Sequence, residues 1–206
     1  LDQVQAVADG RVVHVNRVAG NSNYGKYVVL AHASTAGELY TLYAHLAQLD
    51  SCVRPGARLR AGAVLGIMGL TSSQALPGSR DHLHFELCLM TNAHYDRWFR
   101  ARKLKPDHGN YNGGNLIGID PLAVFEAQRV DPDFTFVEYL LTLPPAFELV
   151  AACQHQPDFF RRYPRLWAGP AFNGRGLVPA VSENGLPLCG WNAVPQDLDE
   201  LGRRRW

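Results

Sequence analysis

The sequence predicts a mainly β protein, α+β overall: an antiparallel β core followed by a helical, Pro/Gly-rich extension. Two observations carry this. Residues 1–90 hold short runs rich in Val, Leu and Tyr, separated by turn signals at the spacing of hairpins. After Asp131 the pattern becomes helical with many breakers.

Val4 to Val7 reads as a short strand, and Asp9-Gly10 as a turn. Arg11 to Val18 carries Val12, Val13, Val15 and Val18, and β-branched residues suit a pleated surface. Asn21-Ser22-Asn23 reads as a loop, Tyr24 to Ala33 and Leu39 to Leu46 as strands. Residues 53–69 form a glycine-rich meander, and Thr71 to Arg80 a polar loop containing Pro77-Gly78.

That loop leads into His82-Leu83-His84-Phe85-Glu86-Leu87, read as a strand. Side chains on a strand alternate faces, so His82 and His84 share one face, about 7 Å apart along it. Two imidazoles on one face divide labour well: one binds a metal, the other handles a proton. The plain alternative is two half-buried histidines on a sheet. Glu86 and Cys88 share the face. Glu86 either orients an imidazole or is a sheet-face carboxylate paired elsewhere. Cys88 reads as a buried thiol or disulfide.

Asn92 to Asn115 reads as a long surface loop, and Asp120-Pro121 as the start of a helix. Beyond it, Phe136 to Leu143 and Ala146 to Gln154 read as helices separated by Pro144-Pro145. Phe159 to Tyr163 and Asp197 to Arg204 read as two more. The expected division is a domain over 1–128 and an extension over 129–206. The extension's aromatics, Phe159, Phe160, Tyr163, Trp167 and Trp191, read as an accessory core, with a glycan or a protein partner as the alternative.

The 206 residues carry 20 Lys+Arg against 19 Asp+Glu, a net charge of +1. That balance argues for neither nucleic acid nor an anionic membrane as partner. Arg203-Arg204-Arg205 reads as a solvated tail. No apolar run approaches the ~18 residues of a transmembrane helix. The chain begins at Leu1 without a signal peptide, so it reads as a processed or truncated product. Cys52, Cys88, Cys153 and Cys189 are too widely spaced for a zinc knuckle. A Cys153–Cys189 disulfide and free thiols both remain open.

Several segments fall in a telling order: Val7-Ala8-Asp9-Gly10-Arg11-Val12, Asn23 to Leu30, Thr41-Leu42-Tyr43-Ala44-His45-Leu46, Val53-Arg54-Pro55-Gly56, Leu59 to Gly62, then His82 to Leu87. This succession resembles the lysostaphin-type, or LytM, zinc endopeptidases. Ile119-Asp120-Pro121-Leu122 resembles the segment that closes their domain. The resemblance implies a two-layer antiparallel β fold with a groove, and zinc-dependent cleavage of peptide bonds in peptidoglycan stems or cross-links. It implies a periplasmic or extracellular setting. Carried over, His84 is the metal ligand, and His45 and His82 are the catalytic histidines. His32 matches a position where the family often has a structural histidine. His14, His94, His108 and His155 read as surface or loop residues. Tyr24 is a candidate for lining the groove, and Tyr43 for the core.

The family's other two zinc ligands come from a His-x-x-x-Asp motif upstream of the Asp9-Gly10 turn. No such motif occurs in residues 1–13. The expectation is a chain that begins downstream of it, which leaves this fragment short of two ligands. The alternative is an inactive relative that binds cell wall or activates an amidase. Cupin metal sites also use His-x-His followed by Glu, but with a longer spacing than His84-Phe85-Glu86.

Overall fold

A computed structural model describes residues 2–75, 80–105 and 108–203, with side chains through Glu200. The Pro77-Gly78 turn and the Arg204-Arg205 end of the tail lie outside the described residues. Strand makes up 33% of the chain and helix 21%, so the class is mainly β, α+β overall. The chain divides into two compact units. The first comprises Leu1–Ala33, Glu38–Met90 and His94–Asp120; the second comprises Ser34–Gly37, Thr91–Ala93 and Pro121–Trp206.

Among the described residues, the first unit holds nine strands: β1 (Gln3–Gln5), β2 (Gly10–Asn16), β3 (Tyr27–Ser34), β4 (Gly37–Ala44), β5 (Gln48–Leu49), β6 (Arg58–Leu59), β7 (Val64–Ile67), β8 (His84–Met90) and β9 (Leu116–Ile119). Ser34 of β3 and Gly37 of β4 are counted with the second unit. Helix α1 (Tyr95–Ala101) follows β8. Six strands form one sheet in the order β6-β2-β3-β4-β8-β9, and three form another, β1-β7-β5.

The continuous apolar run in β3 is explained by burial on both faces. Val28 and Leu30 join Val4, Val12, Tyr43, Leu46, Val53 and Leu65 in one core. Val4 and Leu65 come from the smaller sheet, so this core is the filling between the two layers. Tyr27, Val29 and Ala31 join Tyr40, Leu42, Ala44, Cys88, Met90 and Leu116 on the opposite face. Val28, Val29 and Leu30 are all fully buried. Each such side chain contributes roughly 1.5–3 kcal/mol of burial.

Two expectations for this unit change. His82 is not part of a continuous strand; β8 begins at His84, and His82 instead forms an isolated bridge with Gly69. The reason lies in the neighbour. The β4–β8 ladder ends at Ala44↔His84 because His45 turns into the left-handed region, with φ 61°. The Asn92–Asn115 segment is also not all loop, since α1 forms within it.

The second unit holds α2 (Pro121–Val130), α3 (Phe136–Thr142), β10 (Phe147–Glu148), β11 (Ala151–Ala152), α4 (Asp158–Arg162), β12 (Gly176–Val181), β13 (Pro187–Asn192) and α5 (Pro195–Arg203). Helix α2 opens at Pro121 as expected. Helix α3 is capped by the Thr135 hydroxyl, which accepts from the Glu138 N–H. The extension is not helical throughout. Residues 146–154 form β10 and β11, which pair antiparallel with one edge of β12, while β13 takes its other edge. The Cys153–Cys189 alternative is thereby excluded. Cys189 faces Ala180 across one edge, whereas Cys153 donates its N–H to the Arg175 carbonyl across the other. About five rows of ~3.3 Å separate them along β12, far beyond disulfide reach. All four cysteines are free thiols.

Among the described residues, no helix is long and apolar enough to cross a membrane.

Candidate active site

The three sequence-predicted histidines come together in the first unit. The His45 ring lies 4.9 Å from that of His82 and 5.6 Å from that of His84, centroid to centroid. Each reaches the cluster from a different piece of backbone: the end of β4, the Gly69 bridge, and the start of β8.

His45 is held most firmly. It is buried, with 7% exposure. Its N–H donates to the Tyr24 carbonyl at 2.9 Å, and its Nδ1 lies 2.8 Å from the Thr71 carbonyl oxygen. A carbonyl only accepts, so Nδ1 carries the proton and Nε2 keeps its lone pair. Burial pulls the His45 pKa below its ordinary value, the Thr71 bond opposes this, and the neighbouring His82 and His84 add to the lowering. The left-handed backbone of a non-glycine residue costs roughly 1–2 kcal/mol. The Thr71 clamp holds it there. Thr71 Oγ1 accepts from the Lys26 N–H and donates to the Leu46 carbonyl, both at 2.9 Å.

His82 is solvent-exposed. Its Nδ1 lies 2.9 Å from the Arg80 carbonyl oxygen, so it too presents Nε2. His84 is bound differently. Its Nε2 lies 2.7 Å from Glu86 Oε1, and the Tyr24 ring packs edge-on at 5.3 Å. Glu86 therefore pairs inside the cluster rather than elsewhere. It also accepts from Tyr24 Oη at 2.7 Å and from Cys88 Sγ at 3.3 Å. Burial alone would raise its pKa; the bonds from His84, Tyr24 and Cys88 outweigh that and hold it below the ordinary carboxylate value. Cys88 is a buried thiol, pushed well up by burial and by Glu86.

The remaining histidines sort by contact. His32 is structural in its bonding: Nδ1 meets the Asp9 carbonyl and Nε2 the Thr41 hydroxyl, at 2.8 and 2.7 Å. His94 and His155 are exposed. His108 lies in a loop as expected, and His14 stands on β2; both are half-buried. They meet at 5.9 Å among Tyr27 and Tyr111, and His14 Nε2 and His108 Nδ1 are buried without a hydrogen-bond partner. Tyr43 is a core residue, 1% exposed.

Sequence reasoning missed Thr71, Gly25 and Gly113. Gly25, at φ 61°, packs directly on Thr71, where any Cβ would collide with the Thr71 carbonyl. A Cβ on Gly113 would stand 2.8 Å from Tyr24 Oη. Nothing in the local sequence signals these approaches.

The first unit thus brings three histidines together on a two-sheet antiparallel β framework. Residues 2–96 match the sequence model of peptidase family M23. Residues 2–96 are thus similar to the lysostaphin/LytM-type domains of peptidase family M23. Solved structures similar to it include a zinc-containing peptidase from Vibrio cholerae, 29% identical over 41% of this chain and 23% of that one, with a TM-score of 0.33. The catalytic domain of lysostaphin from Staphylococcus simulans is 19% identical over 60% of this chain and 70% of that one, with a TM-score of 0.40. The catalytic domain of EnpA, a prophage-encoded M23 protein from Enterococcus faecalis, is 20% identical over 41% and 57%, with a TM-score of 0.33. The chain thus spans about a quarter of the Vibrio protein's length. No curated protein matches the sequence.

Proposed function

We propose that the protein is a zinc metalloendopeptidase that hydrolyses peptide bonds in peptidoglycan stems or cross-links, in the periplasm or outside the cell. The observation that supports it is the convergence of His45, His82 and His84 within a peptidase-family domain.

The donor set of this chain does not fit a catalytic zinc by itself. Such a zinc takes about three protein ligands. Among the described residues, no group of three His, Cys, Asp or Glu side chains is placed to hold a metal. His84 supplies one donor. Asp2, just before β1, accepts from the Met68 N–H at 2.9 Å, and the next position, Gly69, bridges His82, so the start of β1 lies beside the histidine cluster.

What this chain's own residues do follows from their hydrogen bonds. His45, kept neutral by burial, presents a bare Nε2 that accepts the proton of an attacking water. His82, free to solvent, donates to the developing oxyanion when its Nε2 is protonated. A positioned base is worth about 10²–10⁴ in rate.

The test is digestion of purified sacculi by the protein expressed with any residues that precede Leu1, with zinc content measured in parallel. New amino and carboxyl termini at peptide bonds are expected. His45→Ala and His82→Ala are each expected to lower turnover by at least about 10² while leaving zinc content unchanged. Sacculi that are bound but never cut would overturn the enzyme reading in favour of a wall-binding or amidase-activating relative.

A further inference from the structure

A hollow of about 520 Å³ opens on the six-stranded sheet, at the end remote from the histidines. Glu38, which lines it, stands near the start of β4, and His45 just past the end of that strand. At ~3.3 Å per residue the two are roughly 20 Å apart. We propose that this hollow is a binding site for the phosphate group of a small molecule, held by Arg11, Arg58 and Arg60.

The register brings the arginines together. Arg11 pairs with Arg58 on β6 and with Ala31 on β3, so the three form one row across the sheet. Val12 and Leu59 pack on the core between the layers, and alternation turns Arg11 and Arg58 to the other face. Arg60, two positions beyond Arg58, lines the same hollow. Ala31 and Ala33 line it from β3, and side chains so small leave room beside the guanidiniums. All three arginines are exposed.

Like charges directly opposite one another destabilise an antiparallel pair. The acidic side chains at hand relieve only Arg11. Glu38 has both oxygens engaged, Oε1 by Arg11 at 3.2 Å and Oε2 by Tyr40 Oη at 2.8 Å. Asp9 Oδ1 accepts from the Ala61 N–H at 2.8 Å. Among the described residues, no acidic side chain forms an ion pair with Arg58 or Arg60. Two guanidinium charges are therefore uncompensated. A phosphate monoester carries about −1.5 to −2 at pH 7 and offers three acceptor oxygens. Guanidinium forks meet such oxygens from several sides, whereas a carboxylate presents two in one plane. Ligand pockets begin near about 300 Å³, so the hollow has room for an organic group as well. The whole chain carries a net charge of only +1, so the attraction belongs to this row of side chains. The site lies outside the histidine cluster and does not depend on the peptidase reading.

The experiment titrates the full chain with inorganic phosphate and with glycerol 3-phosphate, in dilute chloride at neutral pH, and follows the backbone amides by ¹H–¹⁵N correlation. The amides of Gly10, Arg11 and Leu59 are expected to shift together and to saturate. Arg58→Gln and Arg60→Gln are each expected to weaken binding about tenfold or more, the scale of one charge-assisted hydrogen bond. Arg129→Gln, in the last turn of α2, removes the same charge outside the hollow and should bind as the wild type does. The tighter of the two probes tells whether the free ion or an ester is the ligand. Glucuronate, a carboxylate of similar size, should bind more weakly than either. Shifts that never saturate, glucuronate binding as tightly as phosphate, wild-type binding by Arg58→Gln and Arg60→Gln, or an equal loss in Arg129→Gln would each overturn the proposal. Thermal unfolding without phosphate gives a separate readout. Arg58→Gln removes a repulsion, so its Tm should equal or exceed that of the wild type. A lower Tm would mean that Arg58 already has a partner in the protein, and would overturn the site as well.

Discussion

Gly25→Ala is expected to damage the site from outside it. Two costs separate. The first is the dihedral: alanine in the left-handed region loses roughly 1–2 kcal/mol. The second is the collision of the new methyl with the Thr71 carbonyl. Thr71 must move, and it carries three hydrogen bonds shorter than 3 Å, to His45 Nδ1, Lys26 N and Leu46 O, besides a longer one from its own N–H to the His45 carbonyl. At about 0.5–1.5 kcal/mol net each, their loss adds about 2–4 kcal/mol. That is a large share of the roughly 5–15 kcal/mol that holds a domain together. Gly56→Ala is the control. Gly56 has φ 90°, and nothing lies within 4 Å of its would-be Cβ, so it bears only the first cost. Native-state hydrogen exchange at the Val29 and Leu30 amides, deep in β3, reads the stability of this unit directly. Gly25→Ala should lower it by about 2–4 kcal/mol more than Gly56→Ala. Equal losses in the two variants would refute the Thr71 clamp.

Two further expectations follow from the burial of titratable groups. Burial, with a smaller contribution from His108, lowers the His14 pKa from 6.5 to about 4. The unfolded chain therefore binds the extra proton first, and stability falls as pH drops from about 6.5 toward 4, by up to about 3 kcal/mol. His14→Phe keeps the ring contacts with Tyr27 and Tyr111 and should flatten that slope in urea titrations at pH 7 and 4.5; an unchanged slope would place the acid sensitivity elsewhere. For the thiols, alkylation in denaturant without prior reduction should label four sites, and reductant should leave the stability of the native protein unchanged. Two labels or none would refute the four free thiols.

The parts of the fold legible in the sequence are those where side-chain pattern alone decides. The Tyr27–Leu30 run marked a strand, and the pattern from Phe136 to Leu143 marked the helix that became α3. The His-x-His spacing and the ordered neighbours brought His45, His82 and His84 into one hypothesis before any geometry. What stayed hidden depends on distant partners. Residues 146–154 are too short and mixed to distinguish one period from another, and their strands exist only because β12 lies alongside, with Pro179 in its middle masking it. The break at His82 follows from a left-handed histidine, a conformation that sequence flags reliably only at glycine or asparagine. Thr71 acts through its backbone carbonyl, which every residue type possesses.

The strand order has a kinetic corollary. β2, β3 and β4 are neighbours in both chain and sheet, so they pair through short connections. β8 joins them only across a long excursion, and His84 stands 39 residues after His45. Closing that loop costs entropy that the early hairpins do not. The histidine cluster is therefore a late product of folding, completed when β8 docks on β4 and Thr71 closes over His45. By the same order run backwards, it is the first thing lost: a chain that has released only β8 keeps its central hairpins and its compactness, yet no longer possesses a site.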